Sequence, residues 1–500
     1  MRLKYFYKAL HINIYILLIC CFNLSSVKAQ FFDSEQNPPG VKWQQINTTN
    51  FQIIYPTEFE NEAQRMANTL QTIISRVSKT LHKEPRKISI ILQNQGVISN
   101  GFVQLAPRRS EFFTTPPQEF DYQDWLNSLA VHELRHVVQF DKLTGNFKAP
   151  FFEELGLAIF GITLPTWFYE GDAVGIETAL TNAGRGRLPG WELPFRTNVL
   201  SGQSYSYSKD YLGSLRNVTP GYYQLGYFMT TKLKRDYGEN IMDKLFTNIS
   251  KNYIRPYNLS RSIKKYTGLN TRQLHDSTVA ELRRLWQKQA AETKPVDYTT
   301  LNKRRNAIPT DYLLPIARSS TEILALKEGK AQTPQLVSIN SQGNEKLIIR
   351  IGYQDNPNFS YASNKLIWDE LRYDVRFQKR SFNVINSYDL VSKTYRQLTH
   401  KSRLFSPALS PDGKTIAAIK VSLANNINLV ELDAESGKEL KVYENPDNMQ
   451  LQTPGYNSNG DKIIFTASGK QGSTICEINK ADGSFKQLIP FQQQQLSKPA

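Results

Sequence analysis

Cysteine is scarce in this chain of 500 residues, which contains three. Two of them, Cys20 and Cys21, lie in an N-terminal segment that has the features of an export signal. Removal of that segment would leave Cys476 alone, so no disulfide could form within the mature chain. An exported protein of this composition must therefore be stabilised by its hydrophobic core or by a bound metal.

Long apolar runs are also missing. Three basic residues within positions 2–8 precede an apolar stretch from Ile12 to Phe22, and Val27-Lys28-Ala29 resembles a cleavage site. We therefore predict a signal peptide over residues 1–29 and an exported protein of the periplasm, the cell envelope or the surrounding medium. Because the apolar stretch is shorter than a bilayer requires, no integral membrane segment is expected after signal cleavage, and an uncleaved anchor is the alternative.

Acidic residues are fewer than basic ones. The chain has 61 Lys and Arg against 45 Asp and Glu, and its formal net charge of +16 falls to +12 without the four basic residues of the predicted signal. The basic residues are not combined with the aromatic pattern of a nucleic-acid-binding module, so no nucleic acid partner is expected. The hydrophobic content of 40% is ample for buried cores, and the length predicts more than one domain.

Histidine is rare too, but two of the six histidines lie four residues apart in the segment WLNSLAVHELRHVVQF. His132, Glu133 and His136 form an H-E-x-x-H motif. Apolar residues recur there at three- and four-residue steps, and Asp121 or Asp124 could cap the start, so the segment is predicted to be a helix. On a helix both imidazoles leave the same face and can bind one metal ion, with the glutamate close to a metal-bound water. The alternative is a buried helix without a metal.

A metal site of this kind needs a third ligand. The segment TWFYEGDAVGIET (166–178) places Glu170 after an aromatic run, at the start of a predicted helix. A carboxylate in apolar surroundings is costly unless it is paired or coordinates a metal. Glu153 and Glu154 are rivals that lie closer to His136 in the sequence, but they belong to the entry of an ordinary packed segment. We therefore favour Glu170.

The H-E-x-x-H motif and the W-x-x-E-G-x-A pattern that follows it resemble the gluzincin zinc metallopeptidases, and most of all their exported bacterial branch described as peptidase MA-like. The second pattern is formed by Trp167, Glu170, Gly171 and Ala173. The resemblance implies an α+β zincin-like metallopeptidase domain over residues 30–290. It also implies His132, His136 and Glu170 as ligands of Zn²⁺, and Glu133 as the general base that acts on a zinc-activated water.

A second resemblance lies in GYYQLGYFMTTKLKRDYG (221–238), which is predicted to be a helix. Tyr223 begins a Y-x-x-G stretch similar to that of aminopeptidase N-type enzymes, in which the tyrosine hydroxyl stabilises the oxyanion. Tyr223 is therefore the candidate, with Tyr222 and Tyr227 as rivals and an aromatic core contact as the alternative. No stretch similar to G-x-M-E-N is present, so exopeptidase specificity is not supported and the exo- or endopeptidase preference stays open.

Other segments predict the frame of this domain. Alternation over 41–56, the apolar run 87–94 and the stretch 100–113 predict strands, and a helical stripe runs from Glu58 to Leu81. The basic, glycine-rich loop GRGRLPG (184–190) is interpreted as a solvated connector, with a place at a cleft rim as the alternative.

The second half of the chain is predicted to be an all-β propeller over residues 311–500, after a polar linker over 291–310. Strand–turn–strand units built around S-P-D-G-K and N-G-D-K-I repeat with Ser360, Ser406 and Thr453 in equivalent positions, at steps of 46 and 47 residues. Steps of this size fit four-stranded propeller blades. The repeats resemble those of TolB-type, WD40-like propellers.

The last five residues, LSKPA, resemble the opening of another blade, since Ser497 lies 44 residues after Thr453. About four blades are too few for most closed propellers of this type. We therefore expect the chain to be the N-terminal piece of a longer protein, and the alternative is a complete four-blade domain with a short tail.

These expectations combine into a multidomain exported zinc-dependent peptidase that hydrolyses peptide bonds of a protein or peptide substrate. The propeller would restrict access to the site or dock a protein partner. The alternative is a non-catalytic scaffold of the cell envelope, in which the propeller binds other proteins and the peptidase fold is a relic.

Overall fold

Two regions of different secondary structure follow one another along the chain. The computed structural model describes residues 36–105, 107–118, 122–145, 160, 163–293, 296–302 and 308–499. Within these residues, an α/β region extends to Glu292 and an all-β region begins at Thr310. The first half was predicted to be α+β and the second all-β; the structure confirms a region of mixed helices and strands followed by a β region, whereas the zincin-like fold and the domain limits stay predictions. The predicted signal peptide and the rivals Glu153 and Glu154 lie outside the described residues.

The α/β region contains a five-stranded sheet with the order β1-β2-β3-β5-β4. Its strands are β1 (Trp43–Asn47), β2 (Phe51–Pro56), β3 (Ile88–Gln93), β4 (Ser99–Leu105) and β5 (Arg108–Thr114). The strands β2, β3 and β5 run parallel, while β1 and β4 are antiparallel to their neighbours. The strands predicted from the sequence are therefore confirmed, and β4 forms an edge of the sheet.

The described residues of this region also form α-helices. They are α1 (Glu60–Ser78), α2 (Trp125–Thr144), α3 (Thr166–Leu180), α4 (Pro189–Leu200), α5 (Tyr207–Leu212), α6 (Gly221–Tyr237), α7 (Ile241–Lys251), α8 (Asn258–Thr267) and α9 (Thr271–Glu292). Helix α2 carries the H-E-x-x-H motif, as predicted. The Asp124 side chain caps it by accepting a hydrogen bond from the Asn127 N–H at 2.9 Å. Asp121, the other predicted cap, lies outside the described residues.

Helices α3 and α6 cross at two glycines. A Cβ on Gly171 would lie 2.1 Å from the carbonyl carbon of Gly226, and a Cβ on Gly226 would lie 2.1 Å from the Trp167 carbonyl oxygen. Any larger side chain at either position would push the helices apart. The glycines of the W-x-x-E-G and Y-x-x-G patterns thus allow backbone contact, which sets the distance between Glu170 and Tyr223.

The β region consists of four four-stranded antiparallel sheets, each formed by consecutive strands. The strands of the first two sheets are β6 (Thr310–Ser319), β7 (Glu322–Gly329), β8 (Gln332–Asn340), β9 (Glu345–Arg350), β10 (Ser360–Ala362), β11 (Lys365–Tyr373), β12 (Ser381–Asp389) and β13 (Tyr395–Gln397). Those of the last two are β14 (Leu404–Leu409), β15 (Thr415–Val421), β16 (Ile427–Asp433), β17 (Glu439–Tyr443), β18 (Gln450–Tyr456), β19 (Lys462–Gly469), β20 (Gly472–Asn479) and β21 (Phe485–Gln487). The first strands of the four sheets line a cavity of about 600 Å³. This arrangement is compatible with the predicted blade repeats.

The repeat has a backbone signature in the first strand of its sheets. Leu314, Ser406 and Thr453 have φ angles of 55°, 50° and 46°, and each precedes a proline at a β-bulge. Ser360, Ser406 and Thr453 were predicted to be equivalent; Ser406 and Thr453 share this geometry, whereas Ser360, in the first strand of the second sheet, has no positive φ angle. Near the end of the chain, Ser497 was predicted to be the equivalent residue. The positive φ angle, of 52°, is found instead at the next residue, Lys498.

Candidate metal centre

Three side chains that were predicted as metal ligands converge in the structure. The two imidazole Nε2 atoms of His132 and His136 are 3.2 Å apart. The Glu170 Oε2 atom lies 3.3 Å from the first of these nitrogens and 3.2 Å from the second. Helix α2 supplies both histidines from one face, and the first turns of α3 supply the glutamate. Among the described residues, this is the group of His, Cys, Asp and Glu side chains arranged to hold a metal ion.

The spacing of the three donor atoms fits zinc. Zinc–nitrogen and zinc–oxygen bonds of about 2.0–2.2 Å in tetrahedral geometry place the ligand atoms about 3.3–3.6 Å from one another. Two imidazoles and one carboxylate are also the donor set of catalytic zinc sites, which leave the fourth position free. The residues therefore fit the ion that the motif implies.

Both histidines are oriented by a contact at their other ring nitrogen. The Nδ1 atom of His132 lies 3.1 Å from Glu177 Oε2, and that of His136 lies 2.9 Å from Gln139 Oε1. Such partners fix the tautomer that leaves Nε2 free for a metal, and they hold the ring in place. Neither Glu177 nor Gln139 was predicted from the sequence. Each follows a predicted ligand by whole turns of the same helix, and this spacing is the signal that could have identified them.

The basic loop 184–190 contributes a residue to this site. The Arg185 Nη2 group donates to Glu177 Oε2 at 2.8 Å, and it lies 2.8 Å from the Nδ1 atom of His132. The guanidinium carbon is also 4.9 Å from the centre of the Tyr223 ring. The interpretation of this loop as a solvated connector is therefore wrong for Arg185, whose side chain turns toward His132 and Glu177. A pattern of glycines and basic residues cannot reveal which arginine turns inward.

The charges around the site shift the proton affinities of its groups. Burial alone would lower the pKa of His136, but the Glu170 carboxylate outweighs it and raises the pKa to about 9. Burial would raise the pKa of Glu170, but the two histidines hold it well below its ordinary value. Burial would likewise raise the pKa of Glu177, but Arg185 and His132 lower it to about 2. The centre thus attracts positive charge in an enclosed setting.

Glu133, the predicted general base, interacts electrostatically with both histidines and with Glu170. Its side chain is buried, and its Oε2 atom has no hydrogen-bond partner among the described residues. Burial raises its pKa above the ordinary value, although the neighbouring histidines oppose this. A buried polar atom without a partner is costly and is a common feature of groups that act on a substrate or on water.

Of the three candidate tyrosines, Tyr223 lies next to the predicted ligand His132. Its ring centroid is 6.5 Å from that of His132, and burial together with the nearby Glu170 raises the pKa of its hydroxyl. The rival Tyr222 packs against Tyr223 and is 38% exposed. The rival Tyr227 packs against Trp191, with ring centroids 5.7 Å apart.

A buried ion network supports the outer side of the motif helix. Asp172 accepts a hydrogen bond from Arg135 Nε at 2.7 Å and forms an ion pair with Lys234 at 2.7 Å. Gln139, which contacts the Nδ1 atom of His136, also donates to Asp172 at 2.8 Å. The network therefore ties helices α2, α3 and α6 together directly behind the ligands.

Comparisons with known proteins add little to this picture. No protein-family model matches the chain, and no curated protein is similar to it in sequence. The solved structures that it resembles include TolB-like β-propeller proteins. TolB from Acinetobacter baumannii is 14% identical with a TM-score of 0.30, and the match covers 37% of this chain and 44% of that one.

Two further structures give likenesses of the same kind. A putative TolB from Agrobacterium tumefaciens is 15% identical with a TM-score of 0.27, over 34% of this chain and 61% of that one. The β-propeller domain of the Trilobed protease from Pyrococcus furiosus is 13% identical with a TM-score of 0.21, over 26% of this chain and 42% of that one. All three likenesses are weak, and each spans less than two thirds of the other chain.

None of the helices in the described part of the chain combines the length and the apolar character that crossing a bilayer demands.

Proposed function

We propose that this protein is an exported zinc-dependent peptidase of the gluzincin type. One observation carries the proposal. The Nε2 atoms of His132 and His136 and the Oε2 atom of Glu170 lie within 3.3 Å of one another, beside Glu133, whose Oε2 atom has no partner among the described residues. This donor set and spacing suit zinc, and a buried base next to it suits hydrolysis. Export is supported by the N-terminal segment of the sequence.

Zinc bound at this centre would polarise the carbonyl of the scissile peptide bond and acidify a water molecule. The chain's own residues supply the proton transfers. Glu133 accepts the proton of the attacking water on its carboxylate and delivers it to the departing amine. Its enclosure favours this role, because a carboxylate that is poorly solvated is a stronger base than an exposed one.

Tyr223 supplies a hydrogen bond to the oxygen of the attacked carbonyl as negative charge develops there. A tyrosine hydroxyl is protonated at neutral pH, and the raised pKa of Tyr223 keeps it so, which leaves the hydroxyl available as a donor. Arg185 lies under the tyrosine ring and brings positive charge to the same side of the cleft. Glu177 and Gln139 hold the two histidine rings, so that the ligands are in place before a substrate arrives.

The metal site is tested by measuring the zinc content of the purified protein. We expect one zinc per chain in wild type and none in His132→Ala. His400→Ala is the matched control, since this histidine is exposed and lies in the β region. Wild-type protein that takes up no zinc, even when supplied with it, would contradict the site and the enzyme together.

Catalysis requires a separate test with a peptide library and mass-spectrometric detection of cleaved bonds. We expect wild type to cleave and Glu133→Gln to lose activity while it keeps its zinc. Equal cleavage by the two proteins would show that Glu133 is not the base. Zinc binding without any cleavage would favour the scaffold interpretation, in which the β region binds a protein partner.

A further inference from the structure

The β region holds both strands of the β4–β5 hairpin at its open end, where Ser99 pairs with Thr114. The segment 94–98, which precedes β4, and the segment 114–118, which ends β5, both lie against loops of the β region. Val97 is buried in a core cluster with residues of that region, and its N–H donates to the Ser381 hydroxyl at 2.9 Å. The two regions are therefore joined through the hairpin.

Arg403 is the centre of this attachment. Its guanidinium donates to the carbonyl oxygens of Asn94 at 3.1 Å and Gly96 at 2.8 Å, and to the Thr115 hydroxyl at 2.7 Å. Its Nε group donates within the β region, to the Val421 carbonyl at 2.8 Å. Desolvation lowers the pKa of Arg403 to about 10, and no carboxylate among the described residues pairs with it. A single cation thus bridges the start of β4 and the end of β5.

Neutral side chains of the β region complete the attachment of segment 114–118. Asn425 donates to the Thr114 carbonyl at 2.8 Å. Gln450 and Gln452 donate to the Pro117 carbonyl at 2.8 and 3.1 Å. These contacts satisfy backbone acceptors that would otherwise be buried without partners.

The same hairpin forms a wall of the candidate active site. Ser99 pairs with Thr114 at the held end, and Gly101 follows two residues further along β4. A Cβ on Gly101 would lie 2.9 Å from the Glu133 Oε1 atom, so the strand backbone packs directly on the general base. Movement of this end of β4 would therefore change the space around Glu133.

We propose that the β region is a positioning part of the active site, because Arg403 and its neighbours hold both strands of the hairpin at its open end and thereby fix the β4 backbone against Glu133. This inference rests on the proposed function for the role of Glu133. Arg403 acts through the hairpin and contacts no metal ligand. Misplacement of a cleft wall by about 1 Å can reduce a rate about 100-fold.

The test compares Arg403→Met with wild type by three measurements on the full chain. Zinc content should be unchanged, kcat should fall about 10- to 100-fold, and amide hydrogen exchange should become faster in residues 97–105 but not in the motif helix. Arg403→Lys should recover part of the rate, since it keeps a donor. Arg396→Met is the control, because Arg396 is an exposed arginine of the β region that pairs with Glu435.

Asn425→Asp provides a second variant if Arg403→Met does not fold. It keeps the size of the side chain and turns a donor to the Thr114 carbonyl into an acceptor, so the same exchange pattern and the same loss of kcat are expected. Unchanged exchange and unchanged cleavage in a folded variant would overturn the inference. Loss of zinc from the variants would also overturn it, because the effect would then act on the metal site. A wild-type protein that cleaves nothing would contradict the proposed function alone. The hydrogen-exchange measurement would still show whether Arg403 and Asn425 hold the β4 backbone in place.

Discussion

Replacement of Glu177 by glutamine is expected to weaken the proposed zinc site without changing any of the three candidate ligands. Glu177 is 2% exposed, and its Oε2 atom lies 3.1 Å from the Nδ1 atom of His132 and 2.8 Å from the Nη2 group of Arg185. A glutamine can still accept one hydrogen bond, but it carries no charge. The imidazole would lose the electron-donating effect of a carboxylate, and the Arg185 cation would remain near the zinc site without compensation.

The size of the effect follows from the hydrogen bond that is weakened. A hydrogen bond to a charged group contributes about 1.5–3 kcal/mol. Loss of that amount from the metal-bound state raises the Kd for zinc by about one to two powers of ten. Partners of histidine ligands in other zinc sites change affinity by a similar factor, about 10- to 100-fold. The two routes agree, and both predict weaker zinc binding with an intact fold.

The assay is a competition for zinc between the protein and a chromophoric chelator, with thermal unfolding of the metal-free protein as a check on folding. Glu192→Gln is the matched control, since Glu192 pairs with Arg196 along helix α4 and lies outside the centre. Arg185→Gln in the Glu177→Gln background should recover part of the affinity by removing the unpaired cation. An unchanged Kd in Glu177→Gln would refute the role assigned to this carboxylate.

Three further predictions concern the oxyanion donor, a helix crossing and the contact between regions. Tyr223→Phe should lower kcat about 100-fold with zinc content unchanged, whereas equal losses in Tyr227→Phe would contradict the assignment. Gly226→Ala should reduce the free energy of unfolding, measured in urea, by about 1–3 kcal/mol, because the new Cβ would overlap a carbonyl of the facing helix. Gly190 has open space around it, so the control Gly190→Ala should change the free energy of unfolding by less than about 0.5 kcal/mol. Burial alone would raise the pKa of Glu111, but its partners Lys379 and Arg109 lower it. The stabilisation that Glu111 contributes is therefore complete above the ordinary carboxylate pKa, and it is lost as pH falls through the lowered pKa. Thermal unfolding of Glu111→Gln should therefore depend less on pH between about pH 5 and pH 3, and an unchanged pH dependence would contradict this.

Local periodicity accounts for the elements that the sequence predicted well. The H-E-x-x-H helix, the strands before it and the start of the helix with Glu170 depend on patterns that span a few residues. The spacing of Ser406 and Thr453 is likewise local, because each repeat forms its own sheet. The donor cluster could be predicted because His132 and His136 share a helix face and the third ligand has a distinctive aromatic setting.

The contacts that complete the site depend on distant parts of the chain and could not be predicted. Arg185 reaches His132 across 53 residues, and Arg403 reaches Asn94 across 309 residues. Nothing in the loop 184–190 distinguishes an inward arginine from a solvated one. The attachment of the hairpin is also made of polar side chains and backbone carbonyls, which leave no hydrophobic pattern in the sequence.

Prolines in the first strands of three of the four sheets limit the pairing of these strands with other edge strands. Pro315, Pro407 and Pro454 lie in strands that form the inner edge of their sheets, where backbone donors would be open to pairing. Proline has no N–H to offer, and a bulge at each site bends the strand away from a flat edge. These inner edges can therefore face one another across the cavity that they line without joining into one continuous sheet. Each of these repeats thus remains a separate sheet.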